Sequence, residues 1–307
     1  MFDCLISKTT AEIMAVQHLA IQHQSEVNPH YEPPFPFAPT IDGDLLKNQF
    51  HSILFDHSSV RVQNEAPPSS WGYNTEASIL WGSTADEAGA FAGTKVIPVA
   101  GFDAFLHGLF NDSRRDVLES WPGYKLDPSV PDTVRITGVH IGDDVLFHCP
   151  LQSRTENIAQ SYQNNLFAYR LHRGRRVGAS KGDFCSLPGT HRTCHFDDVI
   201  PSLGSASFVD ELDRTQTGDD ARLSRILIDR FTTFAKTGNP NPDPNQNPTW
   251  QPNLVATANP DLVGSVWPSY NPSSMALFDI NLESQTRPWI RRPTCQWLEE
   301  KHLYFDV

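Results

Sequence analysis

One segment of the sequence has the pattern of a nucleophilic serine. Residues 178–182 read Gly-Ala-Ser-Lys-Gly, which matches the Gly-x-Ser-x-Gly pattern that places a serine on a sharp turn between a strand and a helix. The surroundings do not fit that turn, because the basic run Arg-Gly-Arg-Arg at 173–176 precedes it and Asp-Phe-Cys follows where an apolar helix is required. We therefore do not expect Ser180 to act as a nucleophile.

Two cysteines and two histidines form a second group of chemically capable residues. They follow a C-x5-H-x2-C-H pattern and comprise Cys185, His191, Cys194 and His195. Zinc binds these residue types, but the spacing is not one of the usual two-plus-two patterns of structural zinc sites. Three interpretations stay open: a zinc site, a local disulfide between Cys185 and Cys194, and two free thiols beside His195. We do not count a metal among the expected groups.

An acidic pair, Asp86 and Glu87, follows the first apolar run. Residues 79–81 read Ile-Leu-Trp and lead through Gly82 to the two carboxylates, after which small residues follow. This order fits a strand followed by a helix start, because carboxylates are favoured at the positive N-terminal end of a helix. On residue types alone, the pair is an ordinary solvated helix start.

Short apolar runs alternate with helical patterns along the chain. Residues 78–81, 166–169 and 275–278 are predicted to be buried strands. Helices are predicted at 144–160, at 221–236, where a stripe of leucine and phenylalanine is followed by Gly238, and from Thr294 as N-cap to about Leu303. Strands separated by long stretches that contain helices indicate an α/β fold.

Composition excludes several classes of partner. The chain has 307 residues and a net charge of −12, so its surface repels phosphate backbones and nucleic acid is not an expected partner. No run approaches the roughly 18 apolar residues of a membrane span, and no membrane contact is expected. The first residues lack the basic and apolar regions of a secretory signal, while the odd number of cysteines, 5, suits a secreted protein with one partner missing. The cellular location stays open.

Two segments resemble the type B carboxylesterase and cholinesterase family. Residues 79–91 are similar to its pattern of strand, glycine, two or three residues, Asp-Glu-Gly and then Phe, with Ala88 in place of the last glycine. Residues 193–204 resemble its histidine loop, His-Gly-x-(Glu/Asp)-hydrophobic followed by Val-Phe-Gly. His195 falls on the histidine and Asp198 on the acidic position, while Phe196 stands where glycine is usual and Leu203 replaces the phenylalanine.

The resemblance continues along most of the chain in the same order. It includes the Pro-x-x-Asp-Gly segment within residues 37–44, the cysteine helix at 146–150, the Phe-Ala-x-x-Gly-x-Pro-Asn end at 234–241, Trp250, and the cysteine of the last helix at 292–297. Residues 1–307 are accordingly identified as the C-terminal portion of a carboxylesterase type B domain. The resemblance implies a partial α/β-hydrolase fold, made of the later strands of the central sheet with flanking helices.

The resemblance also implies roles for individual residues. In this family a serine attacks the ester carbonyl, a histidine moves its proton, and a glutamate orients the histidine. Glu87 and His195 fall on the glutamate and the histidine, the substrate is a small-molecule carboxylic ester, and no cofactor is required. Cys149 and Cys295 fall on a disulfide pair, and Cys4 on the second cysteine of an earlier pair. Phe91, Trp81, Phe102 and Phe105 are candidates for pocket walls, although core packing explains them equally well.

The serine of this triad is missing from the expected place. Chain order in this fold is serine, acid, histidine, yet no Gly-x-Ser-x-Gly pattern and no glycine-rich oxyanion segment precede Glu87. We expect the N-terminal half with the nucleophile to be absent and the chain to be inactive alone. Two alternatives remain: a non-catalytic esterase-like binding module, since relatives also serve as adhesion domains, and one half of a split esterase that acts with a separate N-terminal half.

Overall fold

A computed structural model describes thirteen stretches of the chain. They are residues 4, 6–22, 77–93, 96–109, 118, 120–161, 165–174, 184–186, 192–205, 218–241, 265–289, 291–301 and 303. The side chain of Phe105 and four of the predicted features, namely Ser180, His191, the segment 37–44 and Trp250, lie outside the described residues.

The described strands form one mixed sheet in the order β1-β2-β3-β4. The strands are β1 (Ile79–Thr84), β2 (Leu166–Leu171), β3 (Ala276–Ile280) and β4 (Gln285–Pro288). The first three are parallel to one another, and β4 is antiparallel to β3. Five of the six residues of β2 are buried, as expected for a parallel strand covered on both faces. The predicted α/β class and the three predicted strands are confirmed.

The fourth strand was not predicted. Its sequence, Gln-Thr-Arg-Pro, is polar and exposed, so it carries none of the alternation that identifies a half-buried strand. It forms because a turn returns the chain along β3: Asn281 N–H donates to Ser284 Oγ (3.1 Å), and Ser284 Oγ donates to Asn281 O (2.7 Å). A strand that ends in proline suits such an edge position.

Seven α-helices are described, namely α1 (Thr10–Gln22), α2 (Phe102–Leu109), α3 (Thr133–Gly142), α4 (Cys149–Ser161), α5 (Val199–Ser202), α6 (Gly218–Thr237) and α7 (Arg292–Glu300). Of these, α6 and α4 pack against the two faces of the sheet. The predicted helix at 221–236 corresponds to α6. Thr294 as N-cap was wrong: Arg291 is the N-cap residue and the helix starts at Arg292, which places Pro293 in its first turn, where a missing N–H costs nothing. In the described part of the chain, none of the helices is long and apolar enough to cross a membrane.

The predicted helix at 144–160 is the second half of a longer helical run. Between α3 and α4, residues Asp143–His148 form a π-helix, in which Cys149 N–H donates to Asp144 O five residues earlier. The run therefore extends from residue 133 to residue 161 with one wide turn in its middle. Single π-turns of this kind occur frequently at functional sites.

Two apolar layers enclose the sheet. On one face, Phe167, Tyr169 and Leu171 of β2 pack with Leu223 and Leu227 of α6. On the other face, the alternate residues Leu166 and Ala168 pack with Ile158 of α4, Tyr270 and Trp289. Alternating side chains of one strand thus bury against both layers, which fixes the register of the parallel pairs.

The last helix is tied to the π-helix by a covalent bond and an ion pair. Cys149 and Cys295 form the disulfide that the family resemblance implies. Next to it, Arg291 donates Nε–H to Asp144 Oδ1 (2.9 Å) and pairs with Asp144 Oδ2 through Nη2, and Tyr124 donates its hydroxyl to the same oxygen (2.9 Å). Asp144 is fully buried, so its charge is compensated by contacts on both oxygens.

The two disulfides differ in the length of chain that they close. Cys149–Cys295 spans 146 residues and Cys185–Cys194 spans 9, and the chain-entropy argument gives about 5 and about 3 kcal/mol respectively. We predict that the Cys149→Ala/Cys295→Ala variant loses about 2 kcal/mol more unfolding free energy than Cys185→Ala/Cys194→Ala, measured by urea unfolding. An equal or smaller loss would contradict a loop-closing role for the long disulfide.

Candidate active site

Glu87 lies just beyond the carboxyl end of β1. It begins a short 3-10 helix, Glu87–Phe91, and only 6% of the residue is exposed. Its Oε1 accepts the backbone N–H of Thr84, the last residue of the strand, at 2.7 Å. This contact turns the side chain back over the strand end and leaves Oε2 available for a second partner.

The neighbouring carboxylate, Asp86, fixes the histidine loop beside the strand end. Asp86 N–H donates to Thr193 O (2.7 Å), and Thr193 N–H donates to Asp86 Oδ2 (3.0 Å). Asp86 thereby forms an isolated parallel bridge with Cys194. Its other oxygen lies 3.5 Å from Arg192 Nη1. These contacts join two segments that lie more than 100 residues apart in the sequence. Glu87 follows Asp86 on one segment, and His195 follows Cys194 on the other.

The structure brings Glu87 and His195 into direct contact. His195 Nδ1 lies 2.6 Å from Glu87 Oε2. Because a carboxylate only accepts hydrogen bonds, Nδ1 carries the hydrogen of this contact, and in the neutral ring Nε2 then holds the lone pair. No described residue forms a hydrogen bond with Nε2. The arrangement is that of an imidazole held in one tautomer with its basic nitrogen open.

Three phenylalanine rings surround the imidazole. Their centroids lie 4.5 Å (Phe196), 5.6 Å (Phe91) and 5.7 Å (Phe147) from that of His195. Phe196 is 62% exposed and Phe91 is 52% exposed, which is unusual for rings of this size. The open nitrogen therefore lies beside an exposed aromatic surface.

Only one of the four aromatic candidates from the sequence is described at this site. Phe91 contacts the imidazole, whereas Trp81 packs against the core on one face of the sheet and Phe102 belongs to the cluster around α3 and α7. Sequence reasoning missed Phe147, because a helical residue 48 positions before His195 gives no local signal of its contact.

The cysteine–histidine cluster contains a disulfide. Cys185 and Cys194 are bonded to each other, so of the three interpretations the local disulfide is correct, and neither sulfur is left as a thiolate ligand for zinc. Within the described ranges, no group of three or more His, Cys, Asp or Glu side chains is arranged to hold a metal ion. The bond explains Gly89: a Cβ there would lie 2.8 Å from Cys194 Sγ, closer than packed atoms allow.

Phe196 occupies a turn position that favours glycine. Asp197 N–H donates to Cys194 O (3.0 Å), which closes a four-residue turn with His195 second and Phe196 third. Phe196 has a φ of 73°, while His195 is not among the residues with positive φ; this combination defines a type II turn. The same geometry accounts for the usual glycine at this position of the histidine loop. A second contact, from Cys194 N–H to Asp197 Oδ2 (2.7 Å), helps to hold the turn around the larger residue.

A comparison with protein families matches residues 1–298 to the Carboxylesterase family. The chain belongs to the carboxylesterase family. Among curated proteins, none matches this chain. Family membership establishes the α/β-hydrolase fold class that the mixed sheet and its flanking helices indicate, and it supports ester hydrolysis at the level of the family.

The acidic position of the carboxylesterase histidine loop also has a defined contact. Asp198 Oδ2 accepts the hydroxyl hydrogen of Tyr169 at 2.8 Å, which links the loop to β2. Burial raises the pKa of the Tyr169 hydroxyl, so this group stays protonated and keeps donating. The loop is thus attached to β1 through Asp86 and to β2 through Asp198.

The left-handed turn gives a prediction about stability. Phe196→Gly should be more stable than Phe196→Ala by about 1 kcal/mol, because both variants remove the ring and only alanine keeps a Cβ at positive φ. The matched control is Phe147, which lies in the helical run: there the glycine variant should be less stable than the alanine variant. Thermal or urea unfolding of the four variants measures both differences. A more stable alanine at position 196 would show that the turn does not have this conformation.

Proposed function

We propose that Glu87 and His195 are the acid and the base of a Ser-Glu-His triad that hydrolyses carboxylic esters. The observation that carries the proposal is the 2.6 Å contact between Glu87 Oε2 and His195 Nδ1, with Nε2 open beside the exposed aromatic rings. Membership of the carboxylesterase family supports the reaction class. The arrangement matches what general-base catalysis by an imidazole requires.

In this mechanism His195 moves the proton and Glu87 holds the ring. Nε2 takes the hydroxyl proton of the serine as the serine oxygen bonds to the ester carbonyl carbon. The imidazolium then gives that proton to the departing alkoxide as the ester C–O bond breaks, which leaves an acyl-enzyme. Water then bonds to the acyl carbon as Nε2 takes one of its protons. The imidazolium returns that proton to the serine oxygen as the bond from this oxygen to the acyl carbon breaks, which releases the acid and restores the serine. Glu87 keeps the hydrogen on Nδ1 and stabilises the imidazolium in both steps.

We further propose that the serine and the oxyanion donors come from a part of the protein that these 307 residues do not contain, so that the isolated chain is inactive. Ser180 is not a good candidate, because the basic sequence around it lacks the pattern of a strand, turn and apolar helix that a nucleophile needs, and it follows the acid in the chain. The support for this part is the sequence pattern alone. An N-terminal esterase half is the corresponding partner.

The proposed substrate is a small carboxylic ester with an apolar group. Nε2 must lie within hydrogen-bond reach of the serine, so the ester carbonyl comes to the same side of the imidazole. Phe91 and Phe196 lie against the imidazole with exposed rings and offer an apolar surface to the acyl or alcohol group.

An activity assay with and without the missing half tests the proposal. We predict that a short-chain nitrophenyl ester is not hydrolysed by this chain alone and is hydrolysed after an N-terminal half from a family member is supplied. In the active mixture, His195→Ala and Glu87→Gln should each lower kcat by about 10⁴-fold, since both disrupt proton transfer by the ring. Ser180→Ala and His172→Gln are the controls; His172 is a second partly exposed histidine, paired with Asp279, and both variants should leave the rate unchanged.

Each unexpected outcome has a separate meaning. Hydrolysis by the chain alone that is abolished in Ser180→Ala would overturn the assignment of the nucleophile. An active mixture that is unaffected by His195→Ala would overturn the assignment of the base. A folded but inactive complex would favour the non-catalytic binding module.

A further inference from the structure

The π-helix between α3 and α4 packs directly against the segment that carries Glu87. In an α-helix, residues five positions apart point about 140° away from each other. The wider turn at residues 143–148 instead lets Asp143 and His148 contact the same neighbouring segment, residues 84–88. Gly142 allows the close approach, because a Cβ there would lie 2.7 Å from Ala88 Cβ.

Asp143 holds the residue that follows Glu87. Its Oδ1 accepts the backbone N–H of Ala88 at 2.7 Å, and the residue is only 3% exposed. Burial raises the pKa of the Asp143 carboxyl well above its ordinary range. Oδ1 accepts the hydrogen of Ala88 N–H whether the carboxyl group is charged or neutral. A neutral amide of the same shape can therefore replace the carboxyl group.

His148 holds the strand end that precedes Glu87. Its Nε2 lies 2.9 Å from Thr84 O, and Thr84 N–H in turn donates to Glu87 Oε1 at 2.7 Å. Burial lowers the pKa of the His148 imidazole well below its ordinary value, so the ring is neutral. With Thr84 O as acceptor, Nε2 carries the single ring hydrogen.

We infer that Asp143 and His148 are positioning residues that hold Glu87 in reach of His195 from both sides of the glutamate. The inference rests on the proposed function, in which Glu87 keeps the hydrogen on His195 Nδ1. An orienting carboxylate acts only within a few tenths of an ångström of its place, and its place is set by the backbone on either side of it. Thr84 and Ala88 are these two backbone points, and each one bonds to a side chain of the π-helix.

The next carboxylate in the chain has a different task. Asp144 pairs with Arg291 and Tyr124 and ties α7 to the helical run; its Oδ1 also lies 4.0 Å from Nδ1 of His148. Of the two adjacent carboxylates, only Asp143 bonds to the backbone beside Glu87, whereas the hydrogen bonds of Asp144 go to Arg291 and Tyr124. Loss of the first should therefore affect the imidazole of His195 more than it affects the fold.

NMR of the intact chain with ¹⁵N-labelled histidine measures the inference without any need for activity. A hydrogen held between His195 Nδ1 and Glu87 gives a downfield, slowly exchanging ring N–H signal, which Glu87→Ala identifies by removing it. We expect Asp143→Ala and His148→Ala to lose this signal. Asp143→Asn and His148→Gln should retain it, because the amides keep the acceptor for Ala88 and the donor for Thr84.

The control is Thr155→Val, which removes the bond from Thr155 Oγ1 to Leu151 O in α4 of the same helical run and should leave the signal unchanged. If an alanine variant does not fold, Asp143→Ser or His148→Asn takes its place and should lose the signal, because the shorter side chain does not reach its partner. A signal that persists in folded truncations at both positions, or that disappears in the folded amide variants, would overturn the inference. Absence of the signal from the unsubstituted chain would instead overturn the proposed function.

Discussion

The site depends on one hydrogen bond, between the carboxylate of Glu87 and Nδ1 of His195. The two residues lie 108 positions apart, and neither forms the contact by local geometry. The parallel pairing of β1 with β2 brings their segments to the same end of the sheet, where the bridge between Asp86 and Cys194 aligns them. The carboxyl ends of the strands in an open α/β sheet are the usual place for such sites.

In two places, adjacent acidic residues contact different parts of the molecule. Asp86 fixes the histidine loop, and Glu87 contacts the imidazole. In the π-helix, Asp143 contacts the Glu87 segment, and its neighbour Asp144 anchors the last helix through Arg291. Each of these buried or partly buried carboxylates accepts at least one hydrogen bond, which offsets the cost of burying several polar groups near one another. In the sequence these residues are only two of several adjacent acidic pairs, and their partners become visible in three dimensions.

The sequence predicted the parts of the molecule that depend on apolar pattern or on family motifs. The three buried strands and α6 follow from hydrophobic runs, and Glu87, His195 and the long disulfide pair follow from the carboxylesterase resemblance. The edge strand at residues 285–288 was missed because a turn and main-chain pairing form it, without an apolar face. The π-helix was missed because an extra residue in a helical turn leaves no periodic signal, and Phe147 was missed with it. In the sequence, Phe196 was noticeable only as a departure from the family motif. Its positive φ explains why glycine is the usual residue at this position.

A double-mutant cycle between Glu87 and His195 measures the central contact most directly. The unfolding free energies of the unsubstituted chain, Glu87→Ala, His195→Ala and the double variant give the coupling between the two side chains. Residues that share a charge-assisted hydrogen bond should couple by more than about 0.5 kcal/mol, so the double variant should lose less than the sum of the single losses. Additive losses would show that the two side chains do not interact in the folded chain and would contradict this account of the site.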